Sequence, residues 1–252
     1  MPAMDYSKVA ELYDVYCQTE IDIPFFLQEA QGCQKVLELT SGTGRLSVPL
    51  LQAGVPLACL DSSPEMLAIL RRKLQEKGIL APVYEMDMCH LSLPDKFNLI
   101  IIPFNAFMEI TQPALQQAAL ATIHAHLTDQ GHLIITLHNP VLRLKTSDGQ
   151  IHLRGKYALP DQAGTLFLSA LESYEASSSL VKGIQFYELY DADGIMHSKR
   201  FIEIQFFIHT RESFEALVFS QGYRILALYG DYGRTGFQSE ISPSMIWILG
   251  KQ

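Results

Sequence analysis

The chain predicts an α/β fold: a seven-stranded, mostly parallel sheet with helices on both faces, interrupted after the fifth strand by an antiparallel β insertion. Three observations predict it. Short apolar runs alternate with helical periodicity through the first half, the pattern of a parallel sheet covered by helices. Lys35-Val-Leu-Glu-Leu-Thr-Ser-Gly-Thr-Gly44 is an apolar run that ends in an acid and then a glycine pair. Between Asn139 and Thr210 the period changes to two, with Ile202, Ile204, Phe206 and Ile208 on alternate positions, as a half-buried strand requires.

In chain order, strands are expected at 35–39, 56–61, 82–86, 97–102 and 131–137. The helix after Gly44 meets Pro49 early, which loosens its first turns. Ser63-Pro64 is a cap and first-turn signature, Leu67, Leu70 and Leu74 form the buried stripe behind it, and Gly78 ends that helix. Pro113 opens another helix, with Leu115, Ala118, Ala119 and Ile123 inward. In the insertion, Ile184–Tyr190 and Ile202–Ile208 form a hairpin around Asp191-Ala-Asp193-Gly194, joined by Thr165–Tyr174. Thr210 caps a helix with Phe214, Leu217 and Val218 inward, Gly222 closes it, and Tyr223–Tyr229 and Ser244–Leu249 are the last two strands. The insertion is expected over the carboxyl ends of the parallel strands, where such sheets bind ligands.

Composition excludes several classes. The 252 residues suit one domain, 1–252, and the balance of 19 basic against 27 acidic residues, a net charge of −8, repels nucleic acid. Arg71-Arg72-Lys73 reads as a solvated helix face. Cys17, Cys33, Cys59 and Cys89 are scattered without a C-x-x-C pair, so neither a metal site nor a disulfide framework is expected. No apolar run is long enough for a bilayer and no basic-then-apolar leader opens the sequence, so the expected location is cytoplasmic, with no membrane partner.

The glycine pair lets a turn bring backbone amides close to a ligand at a helix N-terminus, which marks a nucleoside-cofactor site. Asp61, seventeen residues after Gly44 at the end of the second strand, is placed to accept both hydroxyls of a ribose. The dinucleotide pattern G-x-G-x-x-G/A is met only in part by Gly42-Thr-Gly44-Arg-Leu-Ser47. Instead, Val-Leu-Glu38-Leu-Thr-Ser-Gly42-Thr-Gly44 resembles the first motif, E/D-x-G-x-G-x-G, of the class I, Rossmann-like S-adenosylmethionine-dependent methyltransferases of small-molecule type. Thr40 stands where that motif has its first glycine. Asp61-Ser-Ser-Pro-Glu-Met66-Leu resembles the second motif, Glu85-Met-Asp87-Met88 the acidic turn after the third strand, and Phe97–Phe104 the fourth strand with its loop. The resemblance covers about residues 1–137 well and 210–252 more loosely.

The resemblance implies an antiparallel last strand, S-adenosylmethionine as methyl donor, S-adenosylhomocysteine as product, and transfer by in-line displacement to an oxygen or nitrogen of a small molecule. It places the backbone of Thr40, Ser41, Gly42 and Gly44 against the methionine end of the donor, with Glu38 orienting the turn. Asp61 takes the ribose, Ser62 and Met66 the adenine, Asp87 its exocyclic amine, and Met88 its ring. Pro103 and Phe104 are further cofactor candidates, and Pro103-Phe104-Asn105 departs from the D/N/S-P-P-Y/F/W motif of base-methylating enzymes. Residues 1–30 are expected as a helical cover, bringing Tyr13 and Tyr16 to the cofactor. Residues 139–209 are expected as a substrate lid or a dimer face, in a monomer or homodimer.

His138, ending the fifth strand, is the candidate general base, since an unperturbed imidazole titrates near neutrality. Phe25, Asn105, Asn139, Tyr157, Tyr187, Arg200, Phe201, Tyr229 and Tyr232 are the candidates for the acceptor pocket, where aromatic walls with few polar groups suit a small molecule. Two other readings compete: an NAD(P)-dependent oxidoreductase using the same glycine turn, and a non-catalytic S-adenosylmethionine-binding protein, for which Thr40 is the support.

Overall fold

A computed structural model of the chain describes residues 4–160 and 164–252. Residues 1–3 of the expected cover and 161–163 of the expected insertion lie outside the described residues. Eleven strands form among them: β1 Val36–Leu39, β2 Leu57–Asp61, β3 Val83–Glu85, β4 Phe97–Ile102, β5 Leu127–His138, β6 Asp148–Ala158, β7 Thr165–Glu175, β8 Leu180–Tyr190, β9 Met196–Phe207, β10 Tyr223–Tyr229 and β11 Ser244–Lys251. The helices are α1 Ala10–Tyr16, α2 Ile23–Glu29, α3 Ser47–Gln52, α4 Pro64–Glu76, α5 Pro113–His126, α6 Pro140–Arg143 and α7 Arg211–Ser220.

One sheet has the order β10-β11-β5-β4-β1-β2-β3. All its pairings are parallel except those of β11, which runs antiparallel to both β10 and β5. Apolar clusters cover both faces. One gathers Ile100, Leu120, Ile135, Phe214 and Trp247, and the other Phe26, Leu50, Leu67, Leu70, Ile101 and Ile134. Leu67, Leu70 and Leu74 are buried on α4 as their spacing requires, each contributing roughly 2 kcal/mol. Ser63 Oγ caps that helix by accepting from the Met66 N–H at 3.3 Å.

Local departures from the sequence reading have physical causes. Pro49 leaves α3 only six residues long, starting at Ser47, so the glycine turn is longer than a strand-to-helix corner. β5 begins at Leu127, because Leu127 pairs with Phe97 before the register shifts. On α5 the fully buried positions are Gln116, Ala119, Leu120 and Ile123. Gln116 is accepted because its Nε2 donates to the Ile110 carbonyl at 2.7 Å.

The second sheet, β6-β7-β8-β9, is antiparallel throughout. Strand β6 is an element the sequence reading missed: its apolar Ile151 and Leu153 point to solvent. Leu166, Leu168, Tyr187, Leu189, Ile202 and Ile204 pack against Met4, Val9, Leu12 and Val15. The N-terminal segment and the insertion therefore share one core.

Candidate active site

The site is built at the carboxyl edge of the parallel strands. β1 delivers Glu38, which is buried, and the chain then turns through Thr40 (φ 65°), Gly42 (φ 54°) and Gly44 (φ 86°). A Cβ on Gly44 would crowd the side-chain ends of Leu70 and Val48, and its left-handed backbone favours glycine whatever the space. Thr40 adopts the same left-handed region without that freedom, at a cost of about 1–2 kcal/mol.

The acids around this turn differ in role. The Ser47 hydroxyl donates to Glu38 Oε2 at 2.6 Å, and burial, partly offset by Ser47 and Arg45, raises the Glu38 pKa to about 8. Asp61 accepts from the Gly42 N–H at 2.8 Å and the Ser63 N–H at 2.9 Å, which fixes its carboxylate beside the turn. Its pKa is nevertheless raised, because burial outweighs those bonds. Asp87 accepts from the Cys89 N–H at 2.8 Å and stays exposed. Met66 is buried below Gly42, Met88 is half-buried, and Ser62 is exposed. The Ser41 N–H donates to the Leu60 carbonyl and its hydroxyl bridges the Glu38 carbonyl and the Leu60 N–H. It ties β1 to β2, so its place beside the turn is structural as well.

Across the edge, Pro103 is buried, and Phe104 and Asn105 are left-handed at φ 56° and 65°. Phe104 lies under the Arg45 guanidinium, 4.6 Å from the ring centre. The Asn105 N–H donates to Thr136 Oγ1, while its Oδ1 is buried without a partner. An acid held at the end of β2 and an unsatisfied acceptor after β4 fit a ligand rich in hydroxyl and amino donors, as the nucleoside and amino-acid ends of S-adenosylmethionine are.

The N-terminal segment is clamped over this edge by three charged residues the sequence reading did not select, Arg45, Asp14 and Asp22, and by tyrosines it did. Arg45 grips both oxygens of buried Asp22 at 2.6 Å and also the Thr19 carbonyl. Asp14 accepts from Thr43 Oγ1 at 2.7 Å and pairs with Lys73 at 2.7 Å. Tyr6, Tyr13 and Tyr16 form a chain of edge-on contacts that continues to Tyr157 and Tyr187. The Tyr6 hydroxyl donates to Glu109 Oε1 at 2.9 Å. The Arg45 clamp left no local signal in the sequence, since its partners lie 23 or more residues away.

Several acceptor-pocket expectations are corrected. His138 is not poised as a base: burial and the positive charges of Arg143 and Arg154 lower its pKa to about 3. Asn139 donates both amide hydrogens to the Ser239 and Ser242 carbonyls and accepts from the Val141 N–H, leaving nothing for a substrate. Phe25 is buried and packs with Tyr229, Tyr232 and Phe26, so it floors no cavity. Arg234 lies over both Phe25 and Tyr229. Tyr187 is fully buried in the shared core, its hydroxyl donating to Gln185. Arg200 pins the cover through the Lys8 carbonyl and Glu11, and Phe201 faces outward, 55% exposed. Tyr157 beside Tyr16, half-buried Tyr232 and Asn105 remain near the edge.

The reversed β11 inserted between β10 and β5 departs from the strand order 3-2-1-4-5-6 of the dinucleotide fold, which counts against the oxidoreductase reading. Residues 36–131 match the family of methyltransferase domains. Over that stretch the chain is similar to methyltransferase domains, and its fold is the class I fold. A glycine/sarcosine N-methyltransferase of Halorhodospira halochloris is 28% identical over 133 residues, 51% of this chain and 50% of that protein. The chain thus spans about half the length of that curated relative. Among solved structures, an S-adenosylmethionine-dependent methyltransferase from Clostridium acetobutylicum superimposes with a TM-score of 0.79 at 18% identity, covering 98% of both chains. An amino pentose methyltransferase from Micromonospora echinaspora, with S-adenosylmethionine bound, gives 0.70 at 16% identity, again over 98% of both. Coverage at that level extends the shared fold through the insertion. No helix among the described residues is long and apolar enough to cross a membrane.

Proposed function

We propose that this chain transfers the methyl group of S-adenosylmethionine to the nitrogen of a small-molecule amine. The observation that carries the reading is the carboxyl edge itself, where Asp61 is fixed by the Gly42 and Ser63 amides next to a left-handed turn. Asp61 would hold the ribose, the Gly42–Gly44 turn the amino-acid end, and Met66, Met88 and Asp87 the adenine. When bound, the donor supplies an electrophilic methyl, and the protein's task is to align it with the acceptor and exclude water. The cover clamped by Asp14 and Asp22, with the insertion behind it, supplies that enclosure.

Nitrogen is favoured over oxygen because an amine attacks unaided, whereas an alcohol needs a strong base within reach. His138, held neutral with a pKa of about 3, does not provide one. The relatives named for glycine and sarcosine support the same choice. The four free thiols suit a reducing, cytosolic location, and the protein would act as a monomer or homodimer.

The test is product analysis by mass spectrometry after incubation with S-adenosylmethionine and a panel of glycine, sarcosine, ethanolamine and aminosugars. Methylated amine and S-adenosylhomocysteine should appear together. Tight cofactor binding with no transfer to any of these would favour a non-catalytic binder.

A further inference from the structure

We propose that Glu109, held by the Tyr6 hydroxyl, is the carboxylate that receives the acceptor's ammonium group and takes the proton that N-methylation releases. The inference rests on the amine reading above and names the residue that would serve it.

Glu109 ends the single turn 106–109 that follows β4. Its neighbours are fixed: Phe107 and Met108 are buried, the Asn105 N–H is held by Thr136, and the Ile110 carbonyl by Gln116. Glu109 itself is half-buried and accepts from Tyr6 at 2.9 Å. Like Glu38 and Asp61, whose partners are a hydroxyl and backbone amides, and unlike Asp22 and Glu172, it has no cation. Asp22 has Arg45, and Glu172 has Arg143 at 2.6 Å and Arg154 at 3.0 Å. Among the described residues no lysine, arginine or histidine forms an ion pair with Glu109. A carboxylate withdrawn from water without a counter-charge is costly. The Tyr6 hydroxyl and Tyr13 lie beside it, and Asp61 adds negative charge within electrostatic range. An ammonium ion is the ligand that this environment lacks.

Other groups around the turn do not compete for the role. Tyr6 and Tyr13 face it from the cover, with Tyr16 against Tyr13, and all three are held protonated by burial. Asp61 faces it from β2. His138 lies at the end of β5, where its N–H points to Met108 Sδ, and His209, after β9, stacks near Phe107. Both imidazoles are neutral, with pKa values of about 3 and about 4. Arg45 reaches Tyr13's side of the site but is committed to Asp22. Burial, with Asp61 adding to it, raises the Glu109 pKa to about 7. That value is matched to ammonium groups, which titrate from about 8 to 10, and far from any alcohol.

The step balances. An acceptor arriving as ammonium first gives one proton to Glu109, which passes it to water. The nitrogen lone pair then forms the new N–C bond as the methyl–sulfur bond breaks, its electron pair remaining on sulfur. The product nitrogen, now cationic, gives its extra proton to the Glu109 carboxylate.

The experiment compares wild type with Glu109→Gln and Tyr6→Phe, using the amine panel with S-adenosylmethionine between pH 5.5 and 9. S-adenosylhomocysteine calorimetry and infrared titration of carboxylate bands run alongside. Glu109→Gln keeps the Tyr6 bond and should bind S-adenosylhomocysteine within about two-fold of wild type. It should lower kcat/KM for the amine by about 100-fold, erase the acid limb near pH 7, and remove the carboxylate band that titrates there. Glu38, which titrates higher, should keep its own band. Tyr6→Phe removes a bond that favours the charged form and should move the limb to higher pH, a check that stands if Glu109→Gln fails to fold. Unchanged kcat/KM and an unmoved limb in a folded variant that methylates amines would overturn the role of Glu109 alone. Wild type that binds the product yet methylates no amine would overturn the amine reading and this inference with it.

Discussion

The glycine-turn edge and the cover-plus-insertion half solve the same problem, holding a ligand against the sheet, by different means. The edge uses backbone: left-handed turns, amide donors on Asp61, and close helix packing at Gly44. The other half uses side chains far apart in sequence, namely a chain of tyrosines and the Arg45–Asp22 and Asp14–Lys73 clamps. Backbone geometry leaves a local signature in sequence, and side-chain contact does not. On the proposed reading the first region is the cofactor platform, and the second is where an acceptor is chosen.

The sharpest way to separate the halves is Arg45→Met. Asp22 would be left buried and unpaired, and losing one partner of such a pair costs about 3–5 kcal/mol. Urea denaturation should show that loss, with faster amide exchange across α1 and α2. Gly44→Val attacks the platform instead. Its clash with Leu70 and the left-handed backbone together cost about 2–4 kcal/mol, and S-adenosylhomocysteine affinity should fall with stability.

Acid sensitivity should arise in the sheet core and insertion base, not in the platform. His209 is buried with both ring nitrogens unpartnered, and burial lowers its pKa to about 4. The unfolded state therefore binds more protons, so stability is fully present above about pH 6.5 and is lost as pH falls toward 4. His138 acts in the same direction, while Glu38 and Glu109, with raised pKa values, contribute stability at low pH that is lost as pH rises toward 8. His209→Leu should recover about 1–2 kcal/mol at pH 5 relative to its effect at pH 7.5, read from denaturation midpoints at the two values. The smallest expected effect is Thr40→Gly. Relief of the left-handed strain offsets the entropy of glycine, so stability should change by no more than about 1 kcal/mol, with cofactor affinity retained.

The sequence made the sheet legible because β1, β2, β4 and the second half of β5 are mainly apolar and buried, and the turn legible because Gly42 and Gly44 take left-handed backbone and Asp61 accepts from the turn's amide. It hid β6, whose apolar residues face outward, and it suggested Asn139 and Tyr187 as ligand contacts because residue type does not reveal which partners a side chain already has. Glu109 and Asp22 went unnoticed for the opposite reason. Each is an ordinary acid until folding places Tyr6 or Arg45 beside it.

The central claim is that Asp61 and the glycine turn form the S-adenosylmethionine site, and calorimetric titration with S-adenosylhomocysteine of wild type and Asp61→Ala tests it most directly. Micromolar binding by wild type, about −8 kcal/mol, that weakens at least ten-fold in a folded Asp61→Ala protein is the predicted result. Binding of equal strength in both proteins, or none in wild type, would contradict it.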